Sequence, residues 1–424
     1  MSARLDWFAA ALIALGGCAG STSDSPGDDD DDRGDGDAAV DETPPGRDSG
    51  PPAPDAGPGP GYVDHSDDFP MPDWPQGRPE DYGFDPAGLD EAAAYSASIG
   101  GLCLLVIRDG TLVYEKYLGG TTKTSVQKSW SIAKSFTAAL TGVAIKRGDL
   151  DGVHQSAAEL IPEWKGTPKQ AITIEHILSM SSGLHYELVE DNTWTVFVAD
   201  HTAAALANPY DEGPAGTAWH YNNHGVQVMH PILEAATGMD PEQYAEMYLW
   251  GPIGMNLSGD KPDRTHWERD GAGNPTMYMS VHSSCRDLAR FGYLMLHEGH
   301  WDGEVIIDNE YVDKMLSPSQ DMNPIYGYFW WLNGYEPAID STDEPFEGTM
   351  FPGAPDDLFS AQGIGQNFID VIPSTNTIYV HMRPAPHDPF TNFITDLWGT
   401  IDKLFRDGKQ IEHRELLQKL LEAS

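Results

Sequence analysis

Residues 128–142 read KSWSIAKSFTAALTG, with a lysine one turn after a serine in a stretch otherwise mostly apolar or small. On a helix, positions i and i+3 share a face, so the Ser131 hydroxyl and the Lys134 amine can meet. An ammonium among Trp130, Ile132, Ala133, Phe136, Ala138, Ala139 and Leu140 is costly, because burial disfavours the charged form. Desolvation therefore lowers the pKa of Lys134, and a neutral amine can take the proton that keeps a serine hydroxyl a poor nucleophile. A serine at a helix N-terminus also sits where backbone N–H groups and the helix dipole stabilise developing negative charge.

The pattern S-x-x-K occurs twice, the other copy being Ser125-Val126-Gln127-Lys128. That copy lies in TTKTSVQK, a polar run that reads as a loop, whereas the apolar helical pattern starts at Ser131. About ninety residues on, AWHYNNHGVQVM contains Tyr221-Asn222-Asn223 before a glycine and a helical run, with LSMSSGL in between and SCRDLARFG afterwards. Taken in this order, S-x-x-K and Y-x-N resemble the serine hydrolases related to class C β-lactamases and DD-peptidases, over about residues 80 to 400.

The resemblance implies an α/β (α+β) fold of the β-lactamase/transpeptidase-like kind, a central antiparallel sheet flanked by helices plus an all-helical subdomain. It implies that Ser131 is the acylated nucleophile, Lys134 its activator and Tyr221 the phenol that passes a proton to the leaving group. A phenol of ordinary pKa near 10 needs a cationic neighbour to act as a base, and Lys134 is the one available. Asn223 is expected to orient lysine and substrate through its amide.

The β-lactamase relatives carry a third element, Lys-Thr-Gly, on a strand beside the serine. Here the matching stretch is FSAQGIGQNFIDVIP, with Ala361 in the lysine position and Gln362 before Gly363. Without that cation a substrate carboxylate loses its electrostatic partner on an already acidic protein. The Gly-Ile followed by Gly-Gln is similar instead to the 6-aminohexanoate-dimer hydrolases and allied carboxylesterases, though one residue short between Gly363 and Gln366. By that resemblance Gly363 admits the substrate carbonyl, and the N–H groups of Ile364 and Ser131 form the oxyanion hole. The expected activity is hydrolysis of amide or ester bonds in small substrates through a Ser131 acyl-enzyme. A penicillin-interacting DD-peptidase or β-lactamase is the alternative enzyme, and a non-catalytic envelope binding module the alternative of another class. HYELVEDNTWTVFVAD, with Tyr186 and Trp194, is either a wall of the pocket or an ordinary packed loop.

Around these motifs the pattern predicts a helix in DPAGLDEAAAYSASIG and a hairpin in GLCLLVIRDGTLVYEKYLGG turning at Arg-Asp-Gly. A helical middle follows: SIAKSFTAALTGVAIKRGDL, TIEHILSMSSGL, VQVMHPILEAATG, DPEQYAEMYLW and CRDLARFGYLMLHEG. Strands return in YGYFWWLNG, LFSAQGIGQNFIDVIP and NTIYVHMR, before a last helical pattern, FTNFITDLWGTIDKLFRDG.

The 424 residues carry 66 acidic against 25 basic side chains, a net charge of -41 that repels phosphate backbones and argues against a nucleic-acid partner. Residues 1–17 have the layout of an export signal, with Arg4, an apolar run from Trp7 to Leu15 and small residues, although Asp6 departs from it. Leu15-Gly16-Gly17-Cys18 resembles a bacterial lipobox, which implies a lipid-bearing Cys18 and a bacterial envelope location, periplasm or outer membrane, held by lipid alone; an ordinary secretory signal is the alternative. Residues 18–61, rich in Pro, Gly, Ser and Asp, read as a disordered tether with a reach of about 35 Å, and residues 62–424 as the hydrolase domain. Cys103 in a strand and Cys285 at a helix start are expected to be two separate buried thiols rather than a bridge. The fifteen histidines form no H-E-x-x-H or comparable close set, so neither a metal nor another cofactor is expected.

Overall fold

The computed structural model describes Gly59 and residues 61–255, 264–384 and 410–424. The tether apart from Gly59 and Gly61, Cys18 and FTNFITDLWGTIDKLFRDG lie outside these residues. Helix α1 (Pro86–Ser98) is capped by Asp85, whose carboxylate accepts from the Ala87 and Gly88 amides. Strands β1 (Cys103–Arg108) and β2 (Thr111–Tyr117) form the expected hairpin, and Asp109 and Gly110 turn it with φ of 49° and 70°. Strand β3 (Gln127–Lys128) leads to helix α2 (Ile132–Arg147).

Every side chain of α2 from Ile132 to Ala144 is buried. The helix tolerates this enclosure because alanines and Gly142 keep it narrow; a Cβ on Gly142 would stand 2.5 Å from the Tyr311 ring. Phe136 stacks on Phe291 with ring centroids 3.8 Å apart, and Gly148, at φ 78°, ends the helix.

The middle is helical, as expected: α3 (Ile174–Leu178), α4 (Leu188–Phe197), α5 (Asn223–Gln227) and α6 (Met229–Thr237). Beside it β4 (His266–Trp267) and β5 (Val281–Ser283) join β3 in a small antiparallel sheet. The chain continues through α7 (Cys285–Leu296), β6 (Trp331–Leu332), β7 (Phe359–Gly363), β8 (Asn367–Ile372) and β9 (Thr377–Met382) to α8 (Ile411–Glu422). Of YGYFWWLNG only Trp331 and Leu332 form a strand.

The central sheet has six strands in the order β2-β1-β9-β8-β7-β6, all neighbours antiparallel. Alternation along β8 sorts its faces. Ile369 and Val371 meet α7 at Gly292, where an added Cβ would lie 2.8 Å from Ile369. On the opposite face Asp370 pairs with His413 of α8 at 2.7 Å, both fully buried. Strands from before and after the helical insertion therefore close one sheet.

One expectation is corrected. Cys103 and Cys285 are bonded to each other as a disulfide, with Cα atoms 6.6 Å apart. The N-terminus of α7 packs over β1, and the 182 residues separating the two positions hide that neighbourhood from a sequence reading.

Candidate active site

Ser131 occupies the N-cap of α2, delivered there by a strained turn. Trp130 has φ of 54°, a left-handed conformation that a bulky side chain rarely adopts. Its carbonyl accepts from the Ser280 and Ala133 amides at 2.9 and 3.0 Å, which holds the turn. Ser131 makes no side-chain cap bond to its own helix. Its hydroxyl is engaged by Lys134, whose Nζ lies 2.9 Å from Ser131 Oγ and 2.9 Å from the Tyr278 carbonyl.

Lys134 is 1% exposed, and its two described hydrogen-bond partners, the Ser131 hydroxyl and the Tyr278 carbonyl, are both uncharged. Burial pulls its pKa from 10.5 to about 7, with the negative charge of Asp191 working in the opposite sense. Near neutrality a large share of the molecules therefore hold an uncharged amine beside the serine.

Tyr221 completes the set. Its ring stacks on Trp331 at 5.8 Å and meets Tyr326 edge-on at 6.1 Å, and Lys134 Nζ stands 4.7 Å from its centroid. Burial raises the phenol's pKa; interactions with the Ser131 and Tyr326 side chains oppose this without reversing it. Tyr221 is thus a neutral phenol at ordinary pH, and the deprotonated form that would act directly as a base is disfavoured. Of the two groups, Lys134 is the one poised to take a proton.

Gly363 and Ile364 line the same cleft as Ser131 and Tyr221, together with Asn192, Trp331, Ser341, Thr342, Gln362 and Gln410. The glycine also meets a constraint within the protein itself. A Cβ at Gly363 would stand 2.3 Å from the Ser129 carbonyl oxygen, so glycine is needed for β7 to approach the turn that carries Ser131. Ile364 opens the β7–β8 turn, whose next two residues, Gly365 and Gln366, have φ of 85° and 65°, and the Asn367 side-chain Nδ2 donates to the Ile364 carbonyl at 2.7 Å.

Asn223 is not placed as expected. Its side-chain amide donates to Asp191 Oδ2 at 2.8 Å, and among the described hydrogen bonds of Lys134 none is to Asn223. The reason is Asp191 itself, 1% exposed, which also accepts from the Asn223 and His224 backbone amides and contacts His224 Nδ1 at 2.8 Å. This carboxylate pins α4 against the start of α5, and from the His185–Asp200 segment Asn192 lines the cleft; nothing in the sequence marks Asp191 out from Glu187 or Glu190. The Tyr278 carbonyl was equally invisible, because a backbone acceptor leaves no motif.

The upstream serine and lysine are occupied elsewhere. Ser125 Oγ accepts from the Thr122 amide in an exposed loop, and Lys128 pairs with Glu268 at 2.8 Å. His185, Asp211 and Glu212 gather their ligand atoms within 4.8 Å at the surface, where His185 already contacts Asp211 at 3.0 Å and Glu212 at 3.4 Å.

Comparison with known proteins bears on the family and the fold. The family model described as Beta-lactamase matches residues 87–383. A 6-aminohexanoate-dimer hydrolase from Paenarthrobacter ureafaciens is 25% identical over 258 residues; the match spans 55% of this chain and 64% of that protein's own length. A Bacillus anthracis structure provisionally assigned as a 6-aminohexanoate-dimer hydrolase superposes with a TM-score of 0.58 at 18% identity, covering 77% of this chain and 82% of the other. The octameric penicillin-binding protein homologue of Pyrococcus abyssi gives 0.54 at 19% identity, covering 77% and 78%. At such identities the two structures speak for the fold.

Proposed function

The chain belongs to the beta-lactamase family, and on that premise we propose that it is a serine hydrolase that cleaves amide or ester bonds of small, uncharged substrates through an acyl-enzyme on Ser131. The observation that carries the reading is the dry amine of Lys134 at 2.9 Å from Ser131 Oγ. Lys134 takes the hydroxyl proton as Oγ attacks the substrate carbonyl. The developing oxyanion is received by the N–H groups of Ser131 and Ile364, and one such donor is commonly worth about 3 kcal/mol in the transition state. As the tetrahedral species collapses, Tyr221 gives its proton to the leaving nitrogen or oxygen and regains one from the Lys134 ammonium. Water then attacks the acyl-enzyme, its proton passing to the same pair, and releases the acid with Ser131 restored.

Two features favour uncharged substrates. Ala361, fully buried, supplies no cation where the penicillin-active relatives have lysine, and none of the described residues lining the cleft is basic. The test is a screen of short p-nitrophenyl esters, linear aminohexanoate-type amides blocked at both ends and penicillins, each against Ser131→Ala. Ser131-dependent turnover of esters or amides is the expected result; penicillin acylation without esterase or amidase turnover would replace the proposal with a penicillin-directed enzyme.

We further propose export and lipid attachment at Cys18. The disulfide between Cys103 and Cys285 supports an oxidising compartment. No helix among the described residues is long and apolar enough to cross a membrane. Intact mass of membrane-fraction protein, expected to carry acyl chains on Cys18, decides the matter.

A further inference from the structure

Strand β7 carries one group that the mechanism above leaves idle. Gln362 is 5% exposed and lines the Ser131 cleft, yet among the described residues neither its Nε2 nor its Oε1 has a hydrogen-bond partner. Other buried amides are paired. Asn222 donates to the Leu184 and His185 carbonyls, Gln227 bridges Thr202, Pro275 and Met277, and Asn367 joins Ile364 and Arg383. A buried carboxamide with both ends unpaired forfeits its hydration and gains nothing in the free protein. A leucine or methionine of similar size would avoid that cost.

The location tells what the amide is kept for. Gln362 immediately precedes Gly363 and Ile364, the candidate oxyanion segment. Pairing of β7 with β6 stops at Ser360, so β6 does not cover the strand edge from Ala361 onward. A carboxamide presents one acceptor and a donor side by side, the complement of a second amide's N–H and C=O. An ester or a carboxylate offers acceptors alone and leaves Gln362 Oε1 unpaired.

Resting on the serine-hydrolase reading, we infer that Gln362 is a specificity-determining residue that binds an amide on the acyl side of the scissile bond, Nε2 donating to its carbonyl and Oε1 accepting its N–H. The preferred substrates are then N-acylamino acyl compounds rather than plain fatty acyl ones.

The test compares p-nitrophenyl N-acetylglycinate with p-nitrophenyl pentanoate, which have the same leaving group and chain length and differ in the flanking amide, with Ser131→Ala as the background. Wild type favours the N-acetylglycinate. Gln362→Leu lowers kcat/KM for it by about tenfold to hundredfold, the usual range for two buried hydrogen bonds, and changes the pentanoate by less than about threefold. Its melting temperature is unchanged or raised; should it fall, Gln362→Met, closer in length, makes the same comparison. Ser131-dependent turnover with an unaltered ratio between the two esters overturns the inference alone. Absence of Ser131-dependent turnover of either ester overturns the serine-hydrolase reading, and the inference with it.

Discussion

Replacing Lys134 by methionine tests the electrostatics of the site without relying on a known substrate. The side chain is fully buried and its pKa falls from 10.5 to about 7 on folding. Because the folded value lies below the unfolded one, the unfolded chain binds more protons between those two pH values, and stability rises with pH across that window. At about 1.36 kcal/mol per pKa step, the lysine costs the fold about 4 kcal/mol at pH 7, about 2 kcal/mol at pH 9 and almost nothing by pH 11. Lys134→Met removes this cost and also the bonds to Ser131 and the Tyr278 carbonyl, a loss that does not vary with pH. Urea unfolding of both proteins at matched pH isolates the variable part. The stability difference in favour of the variant should shrink by about 2 kcal/mol between pH 7 and pH 9. In parallel, wild-type kcat/KM should rise with pH along an acid limb near 7, as the neutral amine accumulates. A difference that stays constant with pH would refute the claim that the amine loses its charge inside the protein.

Three further outcomes follow from single contacts. Tyr221→Phe keeps the stacked ring but deletes the hydroxyl, so kcat should fall by about 10²- to 10⁴-fold with little change in melting temperature, read by steady-state kinetics and calorimetry. Gly363→Ala sets a methyl group 2.3 Å from the Ser129 carbonyl; pushing β7 off by about 1 Å should cost about a hundredfold in kcat, checked on the same esters. Replacing Cys103 and Cys285 together by alanine opens a link across 182 residues and should lower unfolding stability by up to about 5 kcal/mol in urea titrations.

The parts of the site that were legible in the sequence are those whose signal is local. S-x-x-K on an apolar helical pattern placed Ser131 and Lys134, since one helical turn alone brings them together, and Arg-Asp-Gly between two alternating runs placed the β1–β2 hairpin. What escaped depends on contacts between distant segments. The disulfide needs β1 beneath α7, and the true partner of Asn223 is a carboxylate 32 residues earlier on α4. Helix α8 could have been found: His413, Leu416, Leu417 and Leu420 recur at helical spacing and are its buried face. The left-handed Trp130 could not, because no propensity points a tryptophan to positive φ; the surrounding bonds to Ser280 and Ala133 impose it.

The most direct measurement is the site of covalent capture. A fluorophosphonate or activated ester added near pH 8, followed by tryptic digestion, should leave one adduct on Ser129–Lys134, and fragmentation should assign it to Ser131. The adduct should be absent from Lys134→Met. An adduct on Thr124–Lys128, or one that forms equally well without the Lys134 amine, would contradict the account.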